Sequence, residues 1–581
     1  MAWFVFCRRP RWWAVGLVLS GLLACGSQPT APPAARPAVT VLPTPSPQPP
    51  IPDPPPAPAG TSIVLPPVPP PPPYGAAVAA HFPDPPIHFA TPAFEPGRTD
   101  FTSNAELQSL LRRLLRDGRA GVRMGLLPLG HSQAGIPLEA LLFSRGADLT
   151  PAALLQDGRP TVLLVGQQHG DEPATAEAMI VVAQELAGGR LTRLLEHINV
   201  IVLPRANPDG AHEGRRATAS GIDLNRDHLL LRTPEAQAQA RLAREYRPAV
   251  FVDAHEYNPV GRFVQKFGGV QRFDALLQYA MTPNLPPFIA KASEEWFREP
   301  LLGSLKTAGL SSEWFHTTSD DPNDKRVAMG GVQPDTARNV NGLRNAVSFL
   351  IEGRGAGLGR LHLKRRVHTQ VTAIASILHS TAARADDLVK LRQYVDNDVS
   401  AQACQGEVVL EAAPTPSEYV LQTLDPLTGA QHPVTVAWDS ALALRPVKVR
   451  GRPCGYWLSA AQGDAVRRLR ALGAAVQQVE ATGVMRGQTY NETAREAVPG
   501  RTVSLSEGGA VLRIQVQTVP TLIDVVPGSY YVPLDQPLAH LVIAALEPDT
   551  PVSYLAHGVI TRVADEVRVM ELPDVKMTSM P

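Results

Sequence analysis

Two short apolar runs lead into metal-ligating side chains, and this pairing limits the fold more than any other feature of the chain. Thr161 to Val165 and Ala249 to Val252 have the length and composition of strands buried on both faces. The first leads into His169-Gly170-Asp171-Glu172. The second continues into Asp253-Ala254-His255, 83 residues past Glu172. Ends of core strands are where open α/β sheets place their sites. A His-x-x-Glu pair with a distant His is the ligand set of a catalytic zinc, two imidazoles and a carboxylate with one position left for water. His169 and Glu172 share one face of a helical turn, and Pro173 suits the first turn of the helix that follows. We therefore expect one Zn2+ per chain, held by His169, Glu172 and His255.

Helical and strand-like segments alternate around these runs. Glu106 to Leu115, Pro173 to Leu186 and Pro234 to Tyr246 read as helices, and Leu138 to Phe143 and Asn199 to Leu203 as strands. Ser348 to Glu352 reads as a further core strand ending in a carboxylate, and Val371 to Tyr394 as a helix closing the unit. The pattern predicts an α/β fold, a mixed twisted sheet flanked by helices, over residues 98–395. From 396 to 581 the texture changes to alternating apolar and polar stretches spaced by turns, as in Glu407 to Leu410, Pro433 to Ala437 and Val511 to Val516. One helix, Asp464 to Val479, interrupts them. This predicts a smaller, mostly-β accessory domain.

The first 24 residues stand apart from the fold. Arg8, Arg9 and Arg11 precede an apolar stretch from Trp12 to Leu23 that is short for a membrane span. The end of that stretch, Leu22-Leu23-Ala24-Cys25, resembles the lipobox of bacterial lipoproteins. The resemblance implies cleavage before Cys25, lipidation of that cysteine and, with Gly26 rather than Asp following, sorting to an outer membrane facing the periplasm. An ordinary secretory signal is the alternative. Of the chain's 58 prolines, 26 lie between Pro29 and Pro96, so residues 25–97 read as a linker that cannot build a core. In polyproline II, Gly26 to Pro73 would reach roughly 150 Å.

The formal net charge is zero, which argues against nucleic acid as a partner and leaves the lipid as the expected membrane contact. Cys404 and Cys454 remain as a pair in an exported chain, which favours a disulfide over two buried thiols.

Further motifs follow the first ligand pair: Arg205-Ala206-Asn207-Pro208-Asp209-Gly210, then Arg215 and Arg216, then Gly221-Ile222-Asp223-Leu224-Asn225-Arg226. With Asp253-Ala254-His255 and the late Leu350-Ile351-Glu352, the set resembles the zinc carboxypeptidases of the carboxypeptidase A type, in that family's order, over roughly residues 100–375. The tail, Pro527 to Pro533 with Gln536-Pro537-Leu538, resembles the extra C-terminal domain of some large bacterial members. The resemblance implies that Glu352 is the general base, that Arg216 (or Arg215 in its place) stabilises the oxyanion, and that Asn225 and Arg226 capture the substrate's terminal carboxylate. It also implies that Asp223 holds a ligand histidine in its correct tautomer.

Asp171 reads as a solvated or capping residue rather than a fourth ligand. His212, His228 and His316 read as surface or local-network histidines, and Tyr257 as part of a pocket wall. Members of the family often carry a mobile tyrosine about twenty residues before the base. Between His255 and Glu352 only Tyr257 and Tyr279 occur, and neither stands there, so zinc hydrolysis is better supported than terminal-carboxylate clamping. The floor of the specificity pocket, within Gly330 to Asn345, finds no counterpart in the motif. The expected activity is a metallocarboxypeptidase acting on peptides or murein peptides. A zinc amidase, endopeptidase or N-acyl amino acid deacylase is the alternative, and a non-catalytic wall-binding lipoprotein the second.

Overall fold

A computed structural model of the chain describes residues 73–117, 121–502 and 510–580. The predicted signal segment, Cys25 and the linker as far as residue 72 lie outside the described residues.

The centre is an eight-stranded mixed sheet. Its strands are β1 (Arg123–His131), β2 (Pro137–Ser144), β3 (Thr161–Gly166), β4 (Asn199–Leu203), β5 (Val250–Tyr257), β6 (Ala275–Tyr279), β7 (Ser312–Trp314) and β8 (Val347–Arg354). Their order is β1-β2-β4-β3-β5-β8-β6-β7. The four central strands, β4, β3, β5 and β8, run parallel. Every residue in these four is buried, which is why they read as continuous apolar runs.

Alternate residues serve two cores. Val162, Leu164, Val250, Val252, Phe349 and Ile351 face one, which is covered by α1 (Asn104–Arg116), α2 (Pro173–Gly188) and, later in the chain, the helix Leu363–Ala383. Leu163, Val165 and Phe251 face the other, beneath α3 (Pro234–Tyr246) and α4 (Ala337–Gly342). Helix α2 is apolar almost all round because it lies between the sheet, the Leu363–Ala383 helix and an N-terminal strap.

That strap corrects the linker boundary. Residues 73–97 pack on the body, with Tyr74, Val78, Phe82 and Phe89 buried. Thr91 and Thr102 both donate to the buried Glu177 of α2. Proline density masked four large apolar side chains spaced to reach the surface beneath. Two helices also end earlier than predicted. The one expected over Val371 to Tyr394 is a pair, Leu363–Ala383 and Ala385–Ala401, broken at Arg384. Asp386 and Asp387 suit the N-terminus of the second. The one expected over Asp464 to Val479 stops at Ala471 and is followed by Gly473 at φ +93°.

Beyond residue 401 the chain is mostly β. A long hairpin, Glu407–Leu424 with Gln431–Gly451, adds a parallel strand, Arg326–Met329, from the first region. A seven-stranded sheet follows. Val408, Tyr456, Leu469 and Leu541 belong to the same apolar cluster as Leu163, Phe251 and Leu242, so residues on both sides of position 395 share one core. Cys404 and Cys454 are joined by a disulfide that ties the last helix of the first region to the next sheet.

Candidate metal centre

The strand end after β3 turns sharply. Gln167 takes φ +49°, His169 follows, and Glu172 sits at the N-cap of α2 with Pro173 behind it. Gly170 is required at this turn, because a Cβ there would lie 1.9 Å from the carbonyl carbon of Gly210. The Asn-Pro-Asp-Gly motif is therefore a brace. Asn207 donates from Nδ2 to the carbonyls of Gln168 (3.1 Å) and Arg216 (3.2 Å), and its N–H donates to Gln167 O.

His255 lies near the end of β5, opposite Glu352 of β8 in parallel register. Paired residues share a face, so the base candidate and the third ligand face the same side of the sheet.

The three ligands meet. His169 Nδ1 lies 2.7 Å from Glu172 Oε1, His255 Nδ1 lies 2.9 Å from Glu172 Oε2, and the two Nδ1 atoms are 3.0 Å apart. Each ring turns its other nitrogen to a carboxylate, His169 Nε2 to Asp223 (3.1 Å) and His255 Nε2 to Asp253 (2.7 Å). With Nε2–H donated outward, both rings aim Nδ1 lone pairs at one point beside a carboxylate. A divalent cation between them would be held by all three, so the donor set fits zinc. Among the described residues this is the one such cluster of three or more His, Cys, Asp or Glu groups. Asp171 is not in it.

The electrostatics agree. Burial raises the carboxyl of Glu172, but His169 and His255 outweigh it and hold Glu172 far below the usual range. Burial pushes the His255 imidazole down, and Asp253 and Glu172 more than reverse this. Glu352, 9 % exposed, is raised by burial to about 7, with His255 opposing the rise.

Of the two candidate arginines the structure brings in Arg216. Its Nε and Nη2 hold Asp223 Oδ2 (3.1 and 2.9 Å), and Nη1 is 3.6 Å from Glu172 Oε1. Arg215 turns away to Glu213. Arg226 is exposed, anchored by one hydrogen bond from Nη1 to Asn225 O (2.6 Å).

Asn225 differs from expectation. Its Nδ2 donates to Asp253 Oδ2 (3.0 Å) and lies 2.9 Å from His255 Nε2, while Oδ1 accepts from the N–H of Ala337 (2.8 Å). Both ends of the amide are committed inside the protein, so Asn225 braces Asp253 and α4 rather than facing a ligand.

Asp253 itself is the functional residue that sequence reasoning passed over. The available signal was its place two residues before His255 on a strand, hence on the same face. Gln168 Nε2 also donates to Asp253 (2.5 Å), and Gln168 Oε1 contacts His228 Nε2 (2.7 Å). His228 is thus a buried network residue, pushed by burial to about 4. His316 is buried beside Phe263 and Trp438, and His212 is exposed. Tyr257 donates to Phe273 O within a separate apolar cluster, and Tyr279 packs on Phe349 in the opposite core. No tyrosine among the described residues joins the site.

Residues 119–283 match the zinc carboxypeptidase family (Peptidase_M14), a segment that contains all three ligands. The chain is 27% identical over 407 residues to carboxypeptidase 2 of Trichophyton rubrum, covering 69% of this chain and 74% of that protein. It is 38% identical over 157 residues to human carboxypeptidase D, covering 21% of this chain and 11% of the other. Among solved structures, a Pseudomonas aeruginosa metallo-carboxypeptidase in complex with (2-guanidinoethylmercapto)succinic acid aligns with TM-score 0.36 and 22% identity, over 49% of this chain and 69% of that one. The matched segment and the ligand set within it mark residues 119–283 as a zinc carboxypeptidase domain.

Proposed function

We propose that this zinc metallocarboxypeptidase removes the C-terminal residue of peptides, including cell-wall peptides, with Glu352 as general base. The observation that carries the reading is the register of Glu352 against the ligand His255. Among the described residues the Glu352 carboxylate makes no hydrogen bond or ion pair with the rest of the protein, so it is available to a water molecule. When bound, zinc supplies a Lewis acid that polarises the scissile carbonyl and makes water acidic.

The chain's own residues do the rest. Glu352 accepts the proton of the attacking water and returns it to the leaving amine. Arg216, next to Glu172, stabilises negative charge that develops on the former carbonyl oxygen. Arg226 presents a guanidinium whose free edge suits bidentate capture of a carboxylate.

Glu352→Gln should lower kcat by about 10²–10⁴-fold with zinc content unchanged. Full activity in that variant would remove Glu352 from the mechanism. Two observations favour a second reading, amidase or endopeptidase action: the absence of a site tyrosine and the inward turn of Asn225 leave Arg226 as the sole terminal clamp. Peptides with free and amidated C-termini separate the two, since equal cleavage rules out terminal recognition.

The lipobox-like Leu22 to Cys25 supports a lipid-anchored enzyme of the outer membrane, facing the periplasm. Cys25→Ser should release the protein from membranes. A variant that remains membrane-bound refutes the lipid anchor.

A further inference from the structure

We propose that a single small anion of the chloride type binds in the cavity that the N-terminal strap closes over Arg354 and His362. The inference is independent of the reaction at the metal centre.

Arg354 is the last residue of β8, and His362 takes φ +55° just before the Leu363–Ala383 helix. With Phe82 of the strap, Asp274, Arg365 and Arg366, they line a cavity of about 10 Å³. The ring centres of Phe82 and Tyr74 lie 3.8 and 4.9 Å from Arg354 Cζ. Tyr74 also stacks on the His362 ring at an interplanar angle of 9°.

The charges around the cavity do not balance. Arg365 holds Asp274 through Nε (2.6 Å) and Nη2 (3.0 Å), and Arg366 holds Glu256 in the same way (2.7 and 2.9 Å). Asp84 of the strap accepts from the backbone N–H of Arg365 (3.1 Å). Arg354, only 4 % exposed, donates to neutral acceptors, from Nε to Gln271 O (3.3 Å) and from Nη1 to the Tyr74 hydroxyl (2.6 Å). Its Nη2 is buried with no hydrogen-bond partner in the protein, and so is His362 Nε2. The two aromatic faces offset part of the cost of burying this cation, but they leave those two nitrogens unmatched.

Burial, reinforced by Arg354, pushes His362 down to about 4, so its ring is neutral and carries one N–H. With that proton on Nε2, the cavity has two free donors. Three guanidiniums and the positive end of a 21-residue helix stand around them. Such a lining favours an anion over a neutral water. The volume selects the anion, because it admits one particle of about the size of water. Phosphate, sulfate and carboxylates are too large, and a halide is left. Seated there, the ion ties the body to the strap, since Phe82 forms part of its wall.

The test uses the purified full chain. Crystals grown with sodium bromide in place of chloride should show an anomalous peak in the cavity, within about 3.5 Å of Arg354 Nη2. Amide exchange over residues 74–82, followed at constant ionic strength as chloride replaces gluconate, should slow by about 10-fold at ten times the Kd for chloride. Sulfate at the same ionic strength should leave the exchange at its gluconate rate. Arg354→Gln should abolish the response to chloride. His362→Phe, which keeps a ring on Tyr74 but removes the donor, should weaken chloride binding about 10-fold.

A bromide crystal with only water in the cavity overturns the proposal. So does exchange that responds equally to chloride and sulfate, which would reduce the effect to general screening, or a response that survives intact in Arg354→Gln. The bromide crystal needs no variant to fold, so it decides the matter even if Arg354→Gln cannot hold the strap.

Discussion

Replacing Asp253 by asparagine isolates what the buried carboxylate contributes to the metal centre. Asp253 is fully buried and meets three donors, Gln168 Nε2 and His255 Nε2 at one oxygen and Asn225 Nδ2 at the other. An amide offers one oxygen. If that oxygen serves Gln168 and His255, the new NH2 faces the NH2 of Asn225. Turning Asn225 around does not relieve this, because its oxygen already serves the N–H of Ala337. Turning Gln168 around would likewise face its NH2 to His228 Nε2. One buried donor is left unmatched, at about 1–3 kcal/mol of folding stability.

The imidazole of His255 also loses the charge that orients it, which should weaken zinc binding about 10- to 100-fold, or about 1.4–2.7 kcal/mol. Asp223→Asn provides the comparison. The Asp223 side chain is 28 % exposed, so water can replace what it loses, and a similar loss of zinc affinity should come with a smaller loss of stability. Zinc affinity from competition with a chromogenic chelator and urea unfolding of the metal-free protein measure the two effects separately. If Asp253→Asn binds zinc within about 3-fold of wild type and unfolds at the same urea concentration, the argument from the ordered hydrogen bonds is wrong.

Three further outcomes follow from the same geometry. Glu352 must be ionised to act as base, so kcat/KM should fall as pH drops through its folded value. That value is about 7 without a cation and lower beside one, so an acidic limb centred well above 7 would argue against Glu352. Gly170→Ala forces the ligand turn away from Gly210 and should cost at least about 100-fold in activity; near-normal kcat/KM would mean that the turn relaxes freely. Removing the Cys404–Cys454 bridge, whose partners are 50 residues apart, should lower stability by about 4 kcal/mol on a loop-entropy basis, and an unchanged urea midpoint in the double serine variant contradicts this.

The parts of the fold that could be read from sequence were those with one dominant cause. Strands β3, β4, β5 and β8 are covered on both faces and so appear as unbroken apolar runs. Strand β6 escaped notice because Ala275 to Tyr279 is brief and takes its place by pairing with β8. The long hairpin at Glu407–Leu424 and Gln431–Gly451 was visible only as two fragments. Its register shifts near Val409, Glu411 and Ala413 break the alternation that marks a strand, and Pro414 and Pro416 add to the break. The strap at residues 73–97 was lost in proline content, although Tyr74 and Phe82 both stack against Arg354.

The site divides along the same line. His169, Glu172 and His255 are held by local turns and by one strand, so spacing alone assembled them. The role of Asn225 depends on a contact across a long stretch of chain, the 112 residues between Asn225 and Ala337. A motif names the residue types in such a case, but only the fold decides which way each side chain turns. The two ligand histidines make the difference concrete. Each is oriented by a carboxylate, yet Asp223 lies half-exposed beside Arg216 while Asp253 is sealed among neutral donors. The His169 side of the centre is therefore the more open one, and the His255 side, with Glu352 opposite it, is closed among buried side chains.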